Sequence, residues 1–315
     1  MSNKKGTKMR LGIGFVAAGL LLAACSYQGP RPWRPMPVQG ATEPSEVIAA
    51  TIPADWQEIP AEDLLVMDLA DNSRIVIQLA PQFAPVHVAN IRAFARGGWW
   101  SDATIYRVQD NYVAQWGNGD AQVPLPAGVE RTPPAEYERP LSGLPSVPSR
   151  APDAYSSGTG YADGWPLAWD DLEGTTWLPH CYATVGVGRD LAPDTGTGGE
   201  LYAVIGHGPR HLDRNIANVG RVVEGMSALS ARPRGTGNLG FYQADRGERP
   251  IPIRSIRIAA DMPAAQRPRF EYLKTDSAAF GLYLTGRANR GGTFFNRPAG
   301  GVDICNAPVP VRRKS

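Results

Sequence analysis

The chain has 315 residues, 43% of them hydrophobic, which suffices for one domain with extensions or for two domains. Its net charge of +2, with acidic and basic residues almost balanced, does not indicate the basic surface that binds nucleic acid, so we exclude that class of partner. The 35 glycines and 29 prolines predict many turns and irregular connections rather than a helical bundle.

The N-terminus has the pattern of a bacterial export signal. Four basic residues within the first ten precede an apolar run from Leu11 to Ala24 that is too short for an ordinary membrane span. The run ends in Leu-Ala-Ala-Cys at Cys25, which resembles a lipobox, the motif whose cysteine becomes the lipidated first residue of the mature protein. The alternative, a buried apolar helix, leaves the basic flank and the cysteine unexplained. We therefore predict a signal peptide over residues 1–25 and a membrane-anchored lipoprotein of the cell envelope that faces the periplasm.

The next segments predict a tether, a hairpin and a helix. Residues 26–60 are rich in proline and have no sustained period, so we expect a semi-extended tether. Two apolar runs, Leu64–Leu69 and Arg74–Leu79, flank a polar turn and predict a hairpin. From Pro85, apolar residues recur at helical spacing until Gly97 and its glycine neighbour stop the helix.

The stretch from Ile105 to Asp120 is the most informative part of the chain. It places Arg107 among strand-forming residues, then an aromatic at Tyr112 and an amide at Gln115, and it ends in a glycine-rich exit. This pattern indicates that the Arg107 guanidinium, a planar fork of N–H donors, lies beside an apolar wall.

Residues 121–180 lose this regularity and are dense in proline, glycine, serine and aspartate. A connection this long is unusual inside a compact domain, so we expect either a functional loop or an inserted subelement. Trp165, Trp169 and Trp177 indicate that part of this insertion packs onto another surface.

Regular patterns return after the insertion. Three runs predict strands: Tyr182–Gly188, Leu201–Ile205 and Val219–Val223. The glycines of the first run, including Gly188, allow a ligand or another backbone to come close. A short helix opens near Met226, and alternation from Ile251 to Ile258 predicts a final strand.

The C-terminal extension, residues 261–315, contains one further helical pattern. Apolar residues around Phe280 and Tyr283 follow Thr275 and Ser277, either of which can cap a helix. We expect this extension to pack on the main domain.

Cys181 and Cys305 are the two cysteines outside the lipobox. In an exported protein such a pair can form a disulfide, and the alternative is two separate buried thiols.

Two blocks of the sequence resemble the cyclophilins, the peptidyl-prolyl cis-trans isomerases. Their Phe-His-Arg-Val strand leads to an aromatic, an aliphatic and a glutamine before Gly-Gly-Asp, the order that Ile105–Asp120 follows. The second block, Tyr182–Ile258, contains Gly-Arg-Val-Val-Glu-Gly-Met. The resemblance implies a mainly β fold over residues 61–260: a closed cyclophilin-like β-barrel capped by two helices. A long irregular insertion and the C-terminal extension are added to it.

The resemblance also implies a chemistry, isomerisation of X-Pro bonds in proline-containing polypeptides. Rotation about the X-Pro bond must break amide resonance, at a barrier of ~18–20 kcal/mol. A donor aimed at the prolyl nitrogen, together with an apolar pocket for the proline ring, lowers this barrier. No metal or cofactor is required. By resemblance, Arg107 is the donor and Gln115 holds the substrate backbone. The proline pocket is then formed by Tyr112, Val113, Tyr202 and Leu212, with Gly188, Glu200 and His211 as further substrate-binding residues.

The chain departs from the family pattern at several of these positions. Tyr106 replaces the usual histidine and Tyr112 the usual phenylalanine, while Glu200, His211 and Ile216 stand where glutamine, tryptophan and histidine are common. These changes predict a reduced rate more than a changed fold.

Glu200 separates the possible functions. A pair between Glu200 and Arg107 would occupy the fork and favour a proline-binding module of the envelope with weak catalysis. An Arg107 side chain open to the groove favours the enzyme. A third function, an envelope structural lipoprotein, is favoured if the insertion covers the groove.

Other site patterns are weak. His207, His211 and Asp213 have metal-like spacing, but a Gly-Pro pair between the histidines prevents the helix that would align them, so we predict no metal. Asp194-Thr195-Gly196 occurs once and follows a poor strand, which argues against an aspartic protease.

Overall fold

The computed structural model describes residues 37–118, 124–143, 147–149, 151–291 and 293–314. The predicted signal peptide, Cys25 and the first part of the tether lie outside these residues. The helices are α1 (Pro44–Ala49), α2 (Pro85–Arg96), α3 (Met226–Ser230) and α4 (Ala278–Ala288). In this part of the chain, no helix has the length and apolarity needed to cross a membrane.

The strands are short and numerous, in keeping with the glycine and proline content. In chain order they are β1 (Trp56–Glu58), β2 (Leu64–Leu69), β3 (Arg74–Leu79), β4 (Thr104–Val108), β5 (Val113–Gly117), β6 (Arg139–Pro140), β7 (Val147–Pro148), β8 (Gly158–Ala162), β9 (Trp165–Asp170), β10 (Thr175–Trp177), β11 (Thr184–Val187), β12 (Leu201–Val204), β13 (Asn218–Glu224), β14 (Ile251–Ile258), β15 (Phe270–Leu273) and β16 (Val311–Arg313).

Eight strands close into a barrel in the order β11-β12-β5-β4-β14-β2-β3-β13. The predicted hairpin pairs β2 with β3 antiparallel, with Leu65 opposite Ile77. The inner core includes Val88 and Phe94 of α2 and Leu229 of α3, all fully buried. The mainly β barrel with two capping helices is therefore confirmed.

The prediction of a tether up to residue 60 is wrong for the described residues from Pro44 onward. Helix α1 packs against α4, and its Val47 lies in one apolar cluster with Phe280. Strand β1 pairs with β15, Trp56 opposite Leu273, in a three-stranded sheet completed by β16. These elements depend on partners at the other end of the chain, so the local sequence carries no periodic signal for them.

The insertion was predicted to be irregular. It instead contains a five-stranded sheet in the order β6-β10-β9-β8-β7. Its strands are short, and glycines interrupt the apolar alternation because side chains would not fit there. A Cβ at Gly158 would lie 2.5 Å from the Trp169 ring, and one at Gly160 would lie 2.5 Å from the Val147 carbonyl. Trp165 and Trp177 are buried, as their packing role predicts.

The C-terminal extension joins the barrel to the insertion. Ser277 caps α4 by accepting a hydrogen bond from the Phe280 amide. The aromatic ring of Phe280 packs edge-on against Tyr161 of the insertion, with centroids 4.9 Å apart. Phe270 covers the outer face of β2 at Leu64. The extension thus packs on the main domain, as expected.

A disulfide between Cys181 and Cys305 links this extension to the segment before β11, with the two Cα atoms 5.0 Å apart. The bridge closes a long loop, with a sequence separation of 124 residues. The two cysteines therefore form a disulfide and are not separate buried thiols.

Replacing both bridging cysteines, as Cys181→Ser with Cys305→Ser, should lower the free energy of unfolding by about 2–4 kcal/mol, because the unfolded chain regains the freedom that the closed loop removes. Urea unfolding of wild type and double variant measures the difference. Reduced wild type is the control and should match the double variant. Two alkylatable thiols in protein purified from an oxidising compartment would contradict the bridge.

Candidate active site

A groove with a volume of about 880 Å³ lies on the outer side of the barrel strands that carry the predicted site residues. Eight of the predicted residues line it: Arg107, Tyr112, Val113, Gln115, Gly188, Glu200, Tyr202 and Leu212. His211 adjoins it, stacked on the Tyr112 ring with centroids 5.7 Å apart. No described residue of the insertion lines the groove, which argues against the structural-lipoprotein reading.

Arg107 projects from β4 and is held by three neutral acceptors. Its Nη1 donates to Gln115 Oε1 at 2.9 Å, its Nη2 to Gln109 Oε1 at 2.5 Å, and its Nε to the Leu239 carbonyl at 2.8 Å. The guanidinium also lies 5.5 Å from the Phe241 ring centroid. Burial lowers the pKa of Arg107, but no acidic group is needed to hold the fork in place.

A hydrogen-bond chain continues from Gln115 away from the fork. Gln115 Nε2 donates to the Tyr106 hydroxyl at 2.7 Å, and that hydroxyl donates to Glu200 Oε2 at 2.6 Å. Burial, then the nearby Glu200 charge, raises the pKa of Tyr106, so its hydroxyl stays protonated as a donor. The Glu200–Arg107 pair that would favour a binding module is not formed: Arg107 donates to Gln115 and Gln109, and Glu200 accepts from Tyr106.

Glycines make room for this arrangement. A Cβ at Gly117 would lie 2.0 Å from a Glu200 carboxylate oxygen, so the carboxylate rests directly against the backbone of β5. A Cβ at Gly188 would lie 3.1 Å from Gln115 Nε2 and from the Glu200 side chain. At Gly117 only glycine lets the carboxylate approach so closely, whereas a side chain at Gly188 would require its neighbours to shift slightly.

The predicted proline pocket is assembled beside the fork. Val113 and Tyr202 are buried and pack with Val204, and Tyr112 and Ile216 complete this apolar cluster. Leu212 lines the same groove from the 3-10 helix Gly208–Leu212. The structure thus brings a guanidinium donor and an apolar pocket together.

A buried polar network, missed by sequence analysis, holds the back of the pocket. His180 Nδ1 lies 2.8 Å from Asp213 Oδ1, and His180 Nε2 lies 2.9 Å from the Tyr202 hydroxyl. With Nδ1 donating to the carboxylate, Nε2 accepts from Tyr202. Asp213 also accepts from Arg210, whose other nitrogens donate to Asp153 of the insertion at 2.9 and 2.8 Å.

Charges in this network compensate one another. Burial alone would raise the pKa of Asp213, but the hydrogen bond from His180 and the charge of Arg210 outweigh it and hold the pKa below its usual value. The pKa of Asp153 is lowered in the same way, against its burial, by hydrogen bonds from Arg210 and Ser156. The network connects the insertion to the wall of the proline pocket.

The comparisons with known proteins decide the family. The family model of cyclophilin type peptidyl-prolyl cis-trans isomerases matches residues 64–258, more than half of the chain. The chain belongs to the cyclophilin family.

A solved cyclophilin shares this fold. The cyclophilin AquaCyp293 from Hirschia baltica superposes with a TM-score of 0.66 at 24% identity, over 85% of this chain and 96% of that one. A Cryptosporidium parvum cyclophilin type isomerase, crystallised in the presence of the dipeptide Ala-Pro, has a TM-score of 0.37 at 11% identity. The alignment covers 62% of this chain and 98% of that one. A search of curated proteins found no match.

The groove of this cyclophilin also has two lining residues that the sequence did not indicate. Leu239 and Phe241, both partly exposed, border the groove beside Arg107. They lie in a glycine-rich loop without periodicity, and tertiary contacts with Arg107 place them there: the guanidinium donates to the Leu239 carbonyl, and a β-bridge joins Phe241 to Arg107. His211 and Asp213, weighed as metal ligands, face different groups: His211 contacts Gly208 and Tyr112, whereas Asp213 is buried against His180.

Proposed function

We propose that this cyclophilin catalyses cis-trans isomerisation of X-Pro bonds in extracytoplasmic polypeptides. The observation that carries the proposal is the fixed Arg107 guanidinium beside the pocket of Tyr112, Val113 and Tyr202. As the amide twists, the prolyl nitrogen becomes a better acceptor, and a preorganised donor stabilises the twisted state more than either planar isomer. Neither a nucleophile nor a cofactor takes part.

The rate is proposed to lie below that of a typical cyclophilin. Three of the five N–H groups of Arg107 already donate to Gln115, Gln109 and the Leu239 carbonyl, so fewer remain for the substrate. The same contacts favour an enzyme over a module that only binds proline, since Glu200 does not occupy the fork.

A protease-coupled isomerisation assay with an X-Pro peptide, on the full chain in detergent solution, tests this proposal. We expect acceleration over the uncatalysed reaction that rises linearly with protein concentration. Binding of the peptide without acceleration would instead support the proline-binding module.

We further propose that the protein is anchored to a membrane of the cell envelope through a lipid on Cys25. The proposal rests on the lipobox-like sequence, and the Cys181–Cys305 disulfide supports an oxidising compartment such as the periplasm. Two or more acyl chains anchor a protein stably, whereas one does not.

The Cys25→Ser variant should therefore move from the membrane fraction to the soluble fraction on cell fractionation, because no acyl chain can be attached. Cys305→Ser, which breaks the disulfide but leaves the lipobox sequence unchanged, should remain with membranes. Membrane retention of Cys25→Ser, together with an unmodified wild-type mass, would contradict lipid anchoring.

A further inference from the structure

A second cavity, of about 560 Å³, lies away from the proline groove and shares no lining residue with it. Four parts of the chain enclose it: helix α1, the insertion, barrel strands β11 and β13, and the C-terminal extension. Its walls are largely apolar. They include Ile48, Trp165, Leu178, Val222, Ile304 and Val309. The volume is that of a small-molecule site, roughly 300–1,000 Å³.

Arg221 is the one charged residue among the described residues that line this largely apolar cavity. It projects from β13, and its guanidinium lies 4.6 Å from the Trp165 ring centroid. Nε and Nη2 both donate to one oxygen, Gln78 Oε1, at 3.0 and 2.8 Å. The guanidinium is therefore positioned between the barrel and the insertion by a neutral amide and a ring.

The charge of Arg221 is not compensated in the same way as that of Arg210. Arg210, which is buried, pairs with the carboxylates of Asp153 and Asp213. No carboxylate in the described segments lies within ion-pair distance of Arg221. The Nη1 of Arg221 donates to no acceptor in these segments. Burial lowers the pKa of Arg221 to about 10, so the half-buried side chain stays cationic at neutral pH. A partly desolvated cation without a carboxylate partner is stabilised by an anion.

We propose that this cavity binds a small monocarboxylate with an apolar body, a carboxylated amphiphile. The carboxylate pairs with Arg221, which matches its planar geometry, and the body lies along the apolar wall formed by Ile48, Leu178 and Val309. The insertion and the extension would then form a ligand site that the barrel alone lacks. Trp165 serves both as a wall of the site and as the surface on which the guanidinium stacks.

The competing explanation is that Arg221 only joins the barrel to the insertion. The two are separated by titrating decanoate, decanol and decylamine, below their micelle concentrations, into the full chain by calorimetry. We expect decanoate to bind about 10-fold or more tightly than decanol, and decylamine least, because a charge-assisted hydrogen bond favours only the anion. Equal affinities for decanoate and decanol in the wild type would overturn the proposal.

Variants locate the binding. Arg221→Gln should lose about 10-fold or more in decanoate affinity and leave decanol unchanged. Arg254→Gln, at an exposed arginine bonded to Asn72 and a carbonyl, is the matched control and should bind as wild type. Ser45→Trp fills the cavity from an exposed position on α1 and should weaken both ligands, which tests the site even if Arg221→Gln folds poorly. Unchanged decanoate affinity in both Arg221→Gln and Ser45→Trp would contradict the site, whatever the isomerase assay shows.

Discussion

Replacing Arg107 with alanine should lower kcat/KM for an X-Pro peptide by about 100-fold or more. Losing one preorganised donor to a developing charge costs about 2.7–4 kcal/mol of transition-state stabilisation. The side chain is held by Gln115, Gln109 and the Leu239 carbonyl rather than by core contacts, so its removal should leave the barrel folded. Stopped-flow isomerisation assays and circular dichroism of both proteins measure the two effects.

Two matched variants show whether the guanidinium itself matters. Arg107→Lys keeps the charge but loses the fork, and we expect most of the activity to be lost with it. Glu200→Gln changes a groove residue that accepts from Tyr106, and we expect only a small change because the glutamine oxygen can still accept that hydrogen bond. Wild-type kcat/KM in Arg107→Ala would remove Arg107 from the mechanism. A large gain in Glu200→Gln would show that Glu200 does restrain the fork.

The second large effect is expected at the base of the proline pocket. Asp213→Ala should destabilise the protein by about 3–5 kcal/mol, because it leaves the buried Arg210 without one of its two carboxylates and His180 without its acceptor. Urea unfolding measures the loss. The exposed pair of Asp110 with Arg234 provides the control, and Asp110→Ala should cost only ~0–1 kcal/mol. Similar losses at the two sites would contradict the role assigned to the network.

The same network predicts a dependence on pH. Since the pKa of Asp213 is lower in the folded state than in the unfolded chain, the unfolded state takes up the proton first as the pH falls. The stabilisation is complete above the unfolded value of about 3.9 and is lost as the pH falls through the lower folded pKa. Melting temperature should therefore fall as the pH drops below about 3.9, and less steeply in Asp213→Asn than in wild type.

Local patterns predicted the parts of the fold whose partners are near in sequence. The hairpin β2–β3 and helix α2 have the bounds that the two apolar runs, the turn residues and Pro85 indicated. The residues of the groove were predicted because the family resemblance assigns roles to positions within two continuous blocks. Arg107 and Gln115 lie on adjacent strands of one such block, so their contact follows from its pairing.

What the sequence alone determined is thus the barrel, its caps and most of the residues that line the groove. Only the tertiary structure decided which groups hold Arg107 and that Glu200 accepts a hydrogen bond from Tyr106. It also decided that the insertion and the segment predicted as a tether contribute strands to sheets. These features depend on contacts between distant segments, such as Trp56 with Leu273. A strand of two or three residues is stabilised mainly by the strand it pairs with. Because that partner is distant in sequence, the local periodicity of hydrophobic residues does not predict such a strand.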